Sequence, residues 1–541
     1  MKSVVRSIWL WAIAIAVFKL WAVAHLPIRA SIAFHDNLRY VITATNLLRG
    51  NVPYGELTLV RQPGYPGFIL LSYWLGLPLR ISQEFLYLGA GLFLATAIDR
   101  WLPKRWLTLL FFAIYALAPF SYHWNRQTLQ EVLYLPLTAT ILAGLLNLLK
   151  DVESERLFFQ DSLGLGIALA LFWNTRPEGI WIVPIVALTY GVIAIRSRLQ
   201  NLRKLLYAAV FSIAPVIFVT STFAFVNYLQ YGLYNTYDLK SPGLTAAYSS
   251  LRRVSPERHR PQIAVPQATR EEIYAVSPSF RRLQDSLEIE IDRGWRKVSC
   301  DMGICDDYAA GVFFWALRDA VEDEGYYRSA LETEGFYQQI AREVDTACDR
   351  NLLRCKAQDF ASFVPSLSTE ILQPWLYGIA RLSYNLTTSS LPLKLDSGVE
   401  DIELRQQYYA KITREPADFF QRRQQLFDRF KDGVVTVVSR SYQLAFPVLL
   451  GLAVLGFLVE LVCFRDSRLI PLWLSGILLF CIVVRVVLVA YVDVTSWSVD
   501  RGDRYLRPVL PSLWLLMCIG VSYLESRWRS LKFSHPFHRV R

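Results

Sequence analysis

The stretch whose reading decides how this chain is threaded is Tyr65-Pro66-Gly67-Phe68-Ile69-Leu70-Leu71-Ser72-Tyr73-Trp74-Leu75-Gly76-Leu77-Pro78-Leu79. It is apolar, but its 15 residues are interrupted by Pro66, Gly67, Gly76 and Pro78. A hydrocarbon core of about 30 Å takes about 20 helical residues to cross. Charge parity arbitrates. If the stretch does not cross, Arg100/Lys104/Arg105, Lys150/Arg156, Arg196/Arg198/Arg203/Lys204, Arg465/Arg468 and the tail from Arg527 to Arg541 all fall on one side. If it does cross, with the N-terminus held inside, the next three of these clusters are thrown outside. Basic residues accumulate on the cytoplasmic side of short loops, so residues 65 to 79 read as a re-entrant or interfacial element.

Outward from it lie ten apolar runs: Ile8 to Ala24, Phe85 to Ile98, Leu107 to Phe120, Val132 to Leu149, Leu163 to Trp173, Ile180 to Ile195, Leu205 to Tyr228, Leu444 to Phe464, Leu469 to Tyr491 and Tyr505 to Tyr523. The first follows Lys2 and Arg6 and ends in Ala22-Val23-Ala24, which has the form of a signal-peptidase site. Lys19 interrupts the apolar core that a cleaved signal requires, so a retained first helix is expected. The fold expected is an all-α polytopic membrane protein of about ten transmembrane helices, with both termini cytoplasmic and a largely helical extracytoplasmic domain.

Composition agrees with this. Hydrophobic residues make up 53% of the 541 and charged residues only 19%, with mean hydropathy +0.27; a soluble chain carries about 25% charged residues. The net charge of +11 is not a nucleic-acid signature, because residues 230 to 432 hold 26 Lys and Arg against 30 Asp and Glu. The basic excess sits in turns between apolar runs. Three units are expected: a membrane module over 1–229 with its first outer loop at 26–62, an extracytoplasmic domain over 230–432, and C-terminal helices with a basic tail over 433–541. Residues 121 to 130, the turn Asn174 to Glu178 and residues 492 to 504 join the outer face. Cys300, Cys305, Cys348 and Cys355 all fall in the outer domain, where disulfides are expected; a four-Cys zinc site is poorly matched by Cys-x4-Cys and Cys-x6-Cys.

The chemistry-bearing residues gather on that face. Loop one contains His35-Asp36-Asn37, Arg39-Tyr40, Asn46-Leu47-Leu48, Gly50 and Arg61-Gln62-Pro63-Gly64-Tyr65-Pro66. Asp36 is either a helix cap or a working carboxylate. Glu131 opens a membrane helix, where it either complements the helix dipole or faces a polar cavity. Arg176 stands beside Pro177-Glu178, so a local ion pair with Glu178 is one reading. Arg504 and Arg507 approach the last helix from the side where positive residues are disfavoured, which points to a phosphate or an acidic partner.

These stretches, with Thr128-Leu129-Gln130-Glu131-Val132-Leu133-Tyr134, Arg176-Pro177-Glu178-Gly179 and Arg504-Tyr505 with Pro508 and Pro511, resemble the GT-C polytopic membrane glycosyltransferases, in their protein O-mannosyltransferase and aminoarabinose-transferase branch. The resemblance covers roughly residues 1 to 230 and 500 to 511. It implies a polyprenyl-phosphate-linked sugar donor and transfer on the non-cytoplasmic face to a glycan, lipid or protein acceptor. Asp36 matches the loop-one acid, acting alone as base or sharing that role with Glu131 or a metal. Arg61, Arg176, Arg504 and Tyr505 are the candidate phosphate contacts; His35, Asp36 and Glu131 are the candidate ligands of a divalent metal ion. The residues support the same chemistry independently, since such a transfer needs a carboxylate to take the acceptor proton and cations to stabilise the departing phosphate. The rival readings are a lipid-linked-saccharide flippase or transporter, which would show matched broken helices in two halves, and a non-catalytic membrane assembly protein.

Overall fold

The structure is a computed structural model. It describes the chain except residues 1, 27, 29–33, 51, 153–154, 198–201, 256–259, 358–362, 364, 366, 389–409, 415–425, 464–469, 497–501 and 534–541. The described residues contain helices and no strand. Seven helices are long and apolar enough to cross a membrane: Leu79–Asp99, Glu131–Lys150, Pro177–Arg196, Leu202–Tyr231, Phe427–Val462, Leu472–Ser496 and Arg504–Arg527. Three shorter apolar ones, Ile8–Val23, Arg105–Ala116 and Phe158–Trp173, complete a set coinciding with the ten expected runs. The chain is an all-α integral membrane protein.

The deciding stretch forms the helix Gly64–Trp74 of 11 residues, ended at Leu75 and the left-handed Gly76 (φ 74°) before Pro78. At 1.5 Å per residue it reaches about 16 Å, half of a hydrocarbon core. Helix Glu131–Lys150 is the hub: 89% of its apolar window is buried, against 11% for Leu202–Tyr231, whose Val210, Ile217 and Phe218 face outward. The hub packs on Leu79–Asp99 and on Glu155–Trp173, which leans in turn on Leu202–Tyr231. Helices Leu426–Cys463 and Leu510–Phe533 cross at Gly456 and Gly520, where a Cβ on either glycine would strike the opposing backbone. Small residues are what allow backbones so close in a membrane.

A second core forms outside the bundle between Leu244 and Leu353, where Pro242–Arg253 packs on Ala330–Asp349. The disulfides Cys300–Cys305 and Cys348–Cys355 close two helix ends in it. Beside the second, Ser255 donates to the Arg354 carbonyl (2.7 Å) and Lys356 to that of Arg253 (2.9 Å). Helix Thr369–Thr387 packs along Leu472–Ser496 and sends Leu382 and Leu386 into the membrane core. Its Trp375 Nε1 donates to the Val487 carbonyl at 3.0 Å, and Arg381 pairs with Asp493 at 2.6 Å. Its apolar stripe finds partners there. At the C-terminal boundary, helix Leu426–Cys463 begins well upstream of the apolar run at Leu444 and straddles the expected junction at 433.

Candidate functional site

Asp36 lies in the first turn of the loop-one helix Phe34–Arg49. Its side chain is 37% exposed and pairs with Arg61. Burial pushes its carboxyl up, but the charges of Arg61, Arg504 and Arg39 and the hydrogen bond from Arg61 outweigh that and hold it below the usual carboxylate range. Arg61 packs over the rings of Tyr40 (5.2 Å) and Trp315 (4.9 Å). The loop-one helix is fixed from below. Asn37 Nδ2 donates to Gln127 Oε1 (3.2 Å), and the Tyr65 hydroxyl, edge-on to Tyr40, donates to Gln83 (2.6 Å). The floor beneath is polar and buried: Arg80 pairs with Glu84 at 2.6 Å, and Lys19 donates to Ser121 Oγ at 2.6 Å. A charge placed in a membrane helix without such partners would be expensive.

The second group is built at the top of the hub. Glu131, in the first turn of Glu131–Lys150, meets Arg176 at 3.0 Å. Arg176 also holds Glu178 at 2.5 Å, the local ion pair that was one reading of it. Its guanidinium lies over Tyr134 (5.3 Å) and Tyr505 (5.0 Å). Arg485, 1% exposed inside Leu472–Ser496, approaches Glu178 at 3.6 Å and donates from Nε to the Tyr505 carbonyl at 2.9 Å. Arg504 donates to the Tyr505 hydroxyl, and its buried Nε has no hydrogen-bond partner.

The two groups form one site. Arg61 and Arg504 each lie in the field of both Asp36 and Glu131. A backbone stitch supports this: the Gly64 amide donates to the Asn174 carbonyl at 2.8 Å, tying the Arg61 segment to the Arg176 turn, and a Cβ on Gly64 would fall 2.6 Å from that same oxygen. Asp36, Glu131 and Glu178 thus face Arg61, Arg176, Arg485 and Arg504, leaving one positive charge in excess among these residues. Such an excess favours an anion.

Loop one is gripped from the other side by the outer core. Arg318, fully buried, pairs with Glu56 (3.1 Å) and Asp238 (2.7 Å), and Arg39 reaches Glu56 at 3.7 Å. Tyr54 stacks on Tyr327 at 6.1 Å. Sequence reasoning passed over Arg485, Trp315, Glu56, Arg318 and Asp238. For Arg485 the signal was present, as a lone arginine in a long apolar run marks a functional position. Trp315, Arg318 and Asp238 lay in the segment that resembles nothing recognised, and Glu56 lay in loop one but in none of its motifs.

The metal reading meets a different arrangement. Among the described residues no three His, Cys, Asp or Glu side chains come together as a ligand set, and Asp36 and Glu131 each have a guanidinium partner. The His35 side chain lies outside the described residues. A cation placed between Asp36 and Glu131 would also lie beside Arg61 and Arg176.

No family model matches the chain, and no curated protein does. One solved structure is similar, ArnT from Cupriavidus metallidurans bound to undecaprenyl phosphate, at 12% identity over 97% of this chain and 79% of that one, with a TM-score of 0.34. A likeness at that level carries no argument about activity.

Proposed function

We propose that the protein is a membrane glycosyltransferase that moves a sugar from a polyprenyl-phosphate donor to an acceptor on the extracytoplasmic face, both termini being cytoplasmic. The observation that carries this reading is the placement of Asp36 beside a cluster of arginines in excess over carboxylates, at the end of the hub helix. In the proposed reaction the Asp36 carboxylate takes the proton of an acceptor hydroxyl. The acceptor oxygen forms a bond to the anomeric carbon. The bond from that carbon to the phosphate oxygen breaks, and the phosphate departs with the electron pair. Arg176, Arg485 and Arg504 stabilise the charge that develops there, which is where preorganised donors act most strongly. Glu131 and Glu178 orient Arg176 between them.

Asp36 held below its usual range is a weak base, because general-base efficiency falls with pKa. An entering phosphate offsets the positive field of Arg61 and Arg504, and the basicity of Asp36 rises as the donor arrives. The test uses purified protein in lipid nanodiscs, a set of polyprenyl-phosphate sugars and detection of released polyprenyl phosphate. Asp36→Asn should cost about 10² to 10⁴ in turnover while lipid-phosphate binding persists. Arg504→Gln should weaken binding as well as turnover, since a phosphate contact precedes the transition state. Near-normal turnover in Asp36→Asn would reduce Asp36 to a helix cap. Movement of intact lipid-linked sugar between leaflets with no transfer would make the protein a transporter.

A further inference from the structure

Trp315 and Trp295 are half-buried side chains of the outer core whose rings stack at 6.0 Å with 21° between planes. They stand over loop one. The Arg39 guanidinium lies 4.6 Å from the Trp315 ring and 5.8 Å from that of Trp295, and Arg61, the partner of Asp36, is 4.9 Å from Trp315. Trp295 Nε1 donates to Asp319 Oδ2 at 2.5 Å, which fixes the ring plane, and Arg39 Nη1 is buried with no hydrogen-bond partner. Indoles normally bury most of their area; here two remain partly open beside a guanidinium with an unused donor and beside a carboxylate.

We propose that this wall is the acceptor subsite and that its ligand is the pyranose ring of a saccharide. Resting on the transferase reading, the inference follows from the order of groups across the site. The arginines that would hold the departing phosphate lie on the membrane side, around Glu131 and Tyr505. Asp36 and Arg61 come next, and the tryptophans lie beyond them on the outer core. In the displacement the acceptor oxygen enters opposite the departing phosphate with its proton against the base, so a surface that adjoins Asp36 on the side away from the phosphate-binding arginines belongs to the acceptor. The apolar face of a sugar ring stacks on indole, and its vicinal hydroxyls match the paired hydrogen-bonding positions of a guanidinium or a carboxylate. The three arginines already on Trp315, Arg39, Arg61 and Arg318 (5.5 Å), disfavour a cationic acceptor, since like charges would be brought together.

The probes are the methyl glycosides of glucose, galactose and mannose, observed by saturation-transfer NMR on the full-length protein in nanodiscs. Ring protons of at least one glycoside should receive saturation from wild-type protein and from Asp36→Asn. The transfer should fall at least tenfold in Trp315→Ala and in Trp295→Ala and be restored in Trp315→Phe, and lipid-phosphate binding retained by the variants shows that they are folded. A polyprenyl phosphate without sugar should leave the signal in place. Absence of transfer from every glycoside, or equal transfer in wild type and both alanine variants, overturns the proposal. So does displacement by sugar-bearing donor but not by bare lipid phosphate, which would make the wall the donor's own sugar subsite. The transferase reading fails separately, when glycosides bind but no lipid phosphate does.

Discussion

Asp36 and Arg61 are 25 positions apart and become one unit because the loop-one helix and the Arg61 segment converge beneath Trp315. The pair sets a pH dependence with a definite sign. Asp36 is depressed, so its ion pair is present above the ordinary carboxylate value of about 3.9 and is lost only as pH falls through the lower folded value. The acid limb of kcat/KM should therefore lie below that ordinary value in the wild-type protein. Replacing Arg61 with Gln removes the leading charge that lowers Asp36 while leaving the burial that raises it. The limb should move upward. A limb that stays in place would mean that Asp36 is not the titrating base. That Asp36 could be chemical was legible from the acid and arginine flanking a broken apolar element; that Arg61 clamps it was not, because an ion pair across 25 residues has no periodic signature.

Elements meet loop one from two directions, and the buried Arg318 on Ala310–Asp323 is the hinge of the outer grip. Burial lifts the Asp238 carboxyl above its ordinary range, with Arg318 opposing the rise. Arg318→Met would leave Glu56 and Asp238 as buried carboxylates without their main partner, at a cost of about 3 to 5 kcal/mol. The outer core should then loosen from loop one, seen as faster hydrogen exchange over residues 52 to 60 and reduced turnover, while helix Glu131–Lys150 stays protected. Unchanged exchange there would show that the aromatic contact of Tyr54 with Tyr327 suffices. The helix Gly64–Trp74 was legible at this scale from its prolines, glycines and length. Helix Thr369–Thr387 was not assigned to the membrane core, because an amphipathic stripe declares that it needs a partner without naming one.

Across the whole molecule, the arrangement makes the outer disulfides local staples. A loop of about 15 residues gains about 3 kcal/mol from closure and shorter loops gain less, so the two bridges shape helix ends while the apolar core between Leu244 and Leu353 carries the fold. Folded, unreduced protein should show no thiol at positions 300, 305, 348 or 355, and reduction should leave lipid-phosphate binding within about twofold; labelling of any of these cysteines before reduction would contradict the pairing. The proposed topology, with both termini cytoplasmic, expects a cysteine introduced at the exposed Ile291 to be labelled from the extracytoplasmic side of sealed cells, and labelling only after permeabilisation would invert it. The amino-acid sequence by itself determined the helical class, the ten apolar segments and the short broken element, because membrane partition depends on the length and hydropathy of each segment separately. It also marked Asp36, Glu131, Arg61, Arg176 and Arg504, since charges near membrane helices are costly enough to stand out. Only the tertiary structure decided which carboxylate meets which arginine, that Arg485 joins them, that the outer core brings Trp315 and Arg318 to loop one, and that 369–387 belongs to the bundle. Those choices depend on contacts between segments far apart in the chain, whose energies arise only when side chains are desolvated against one another.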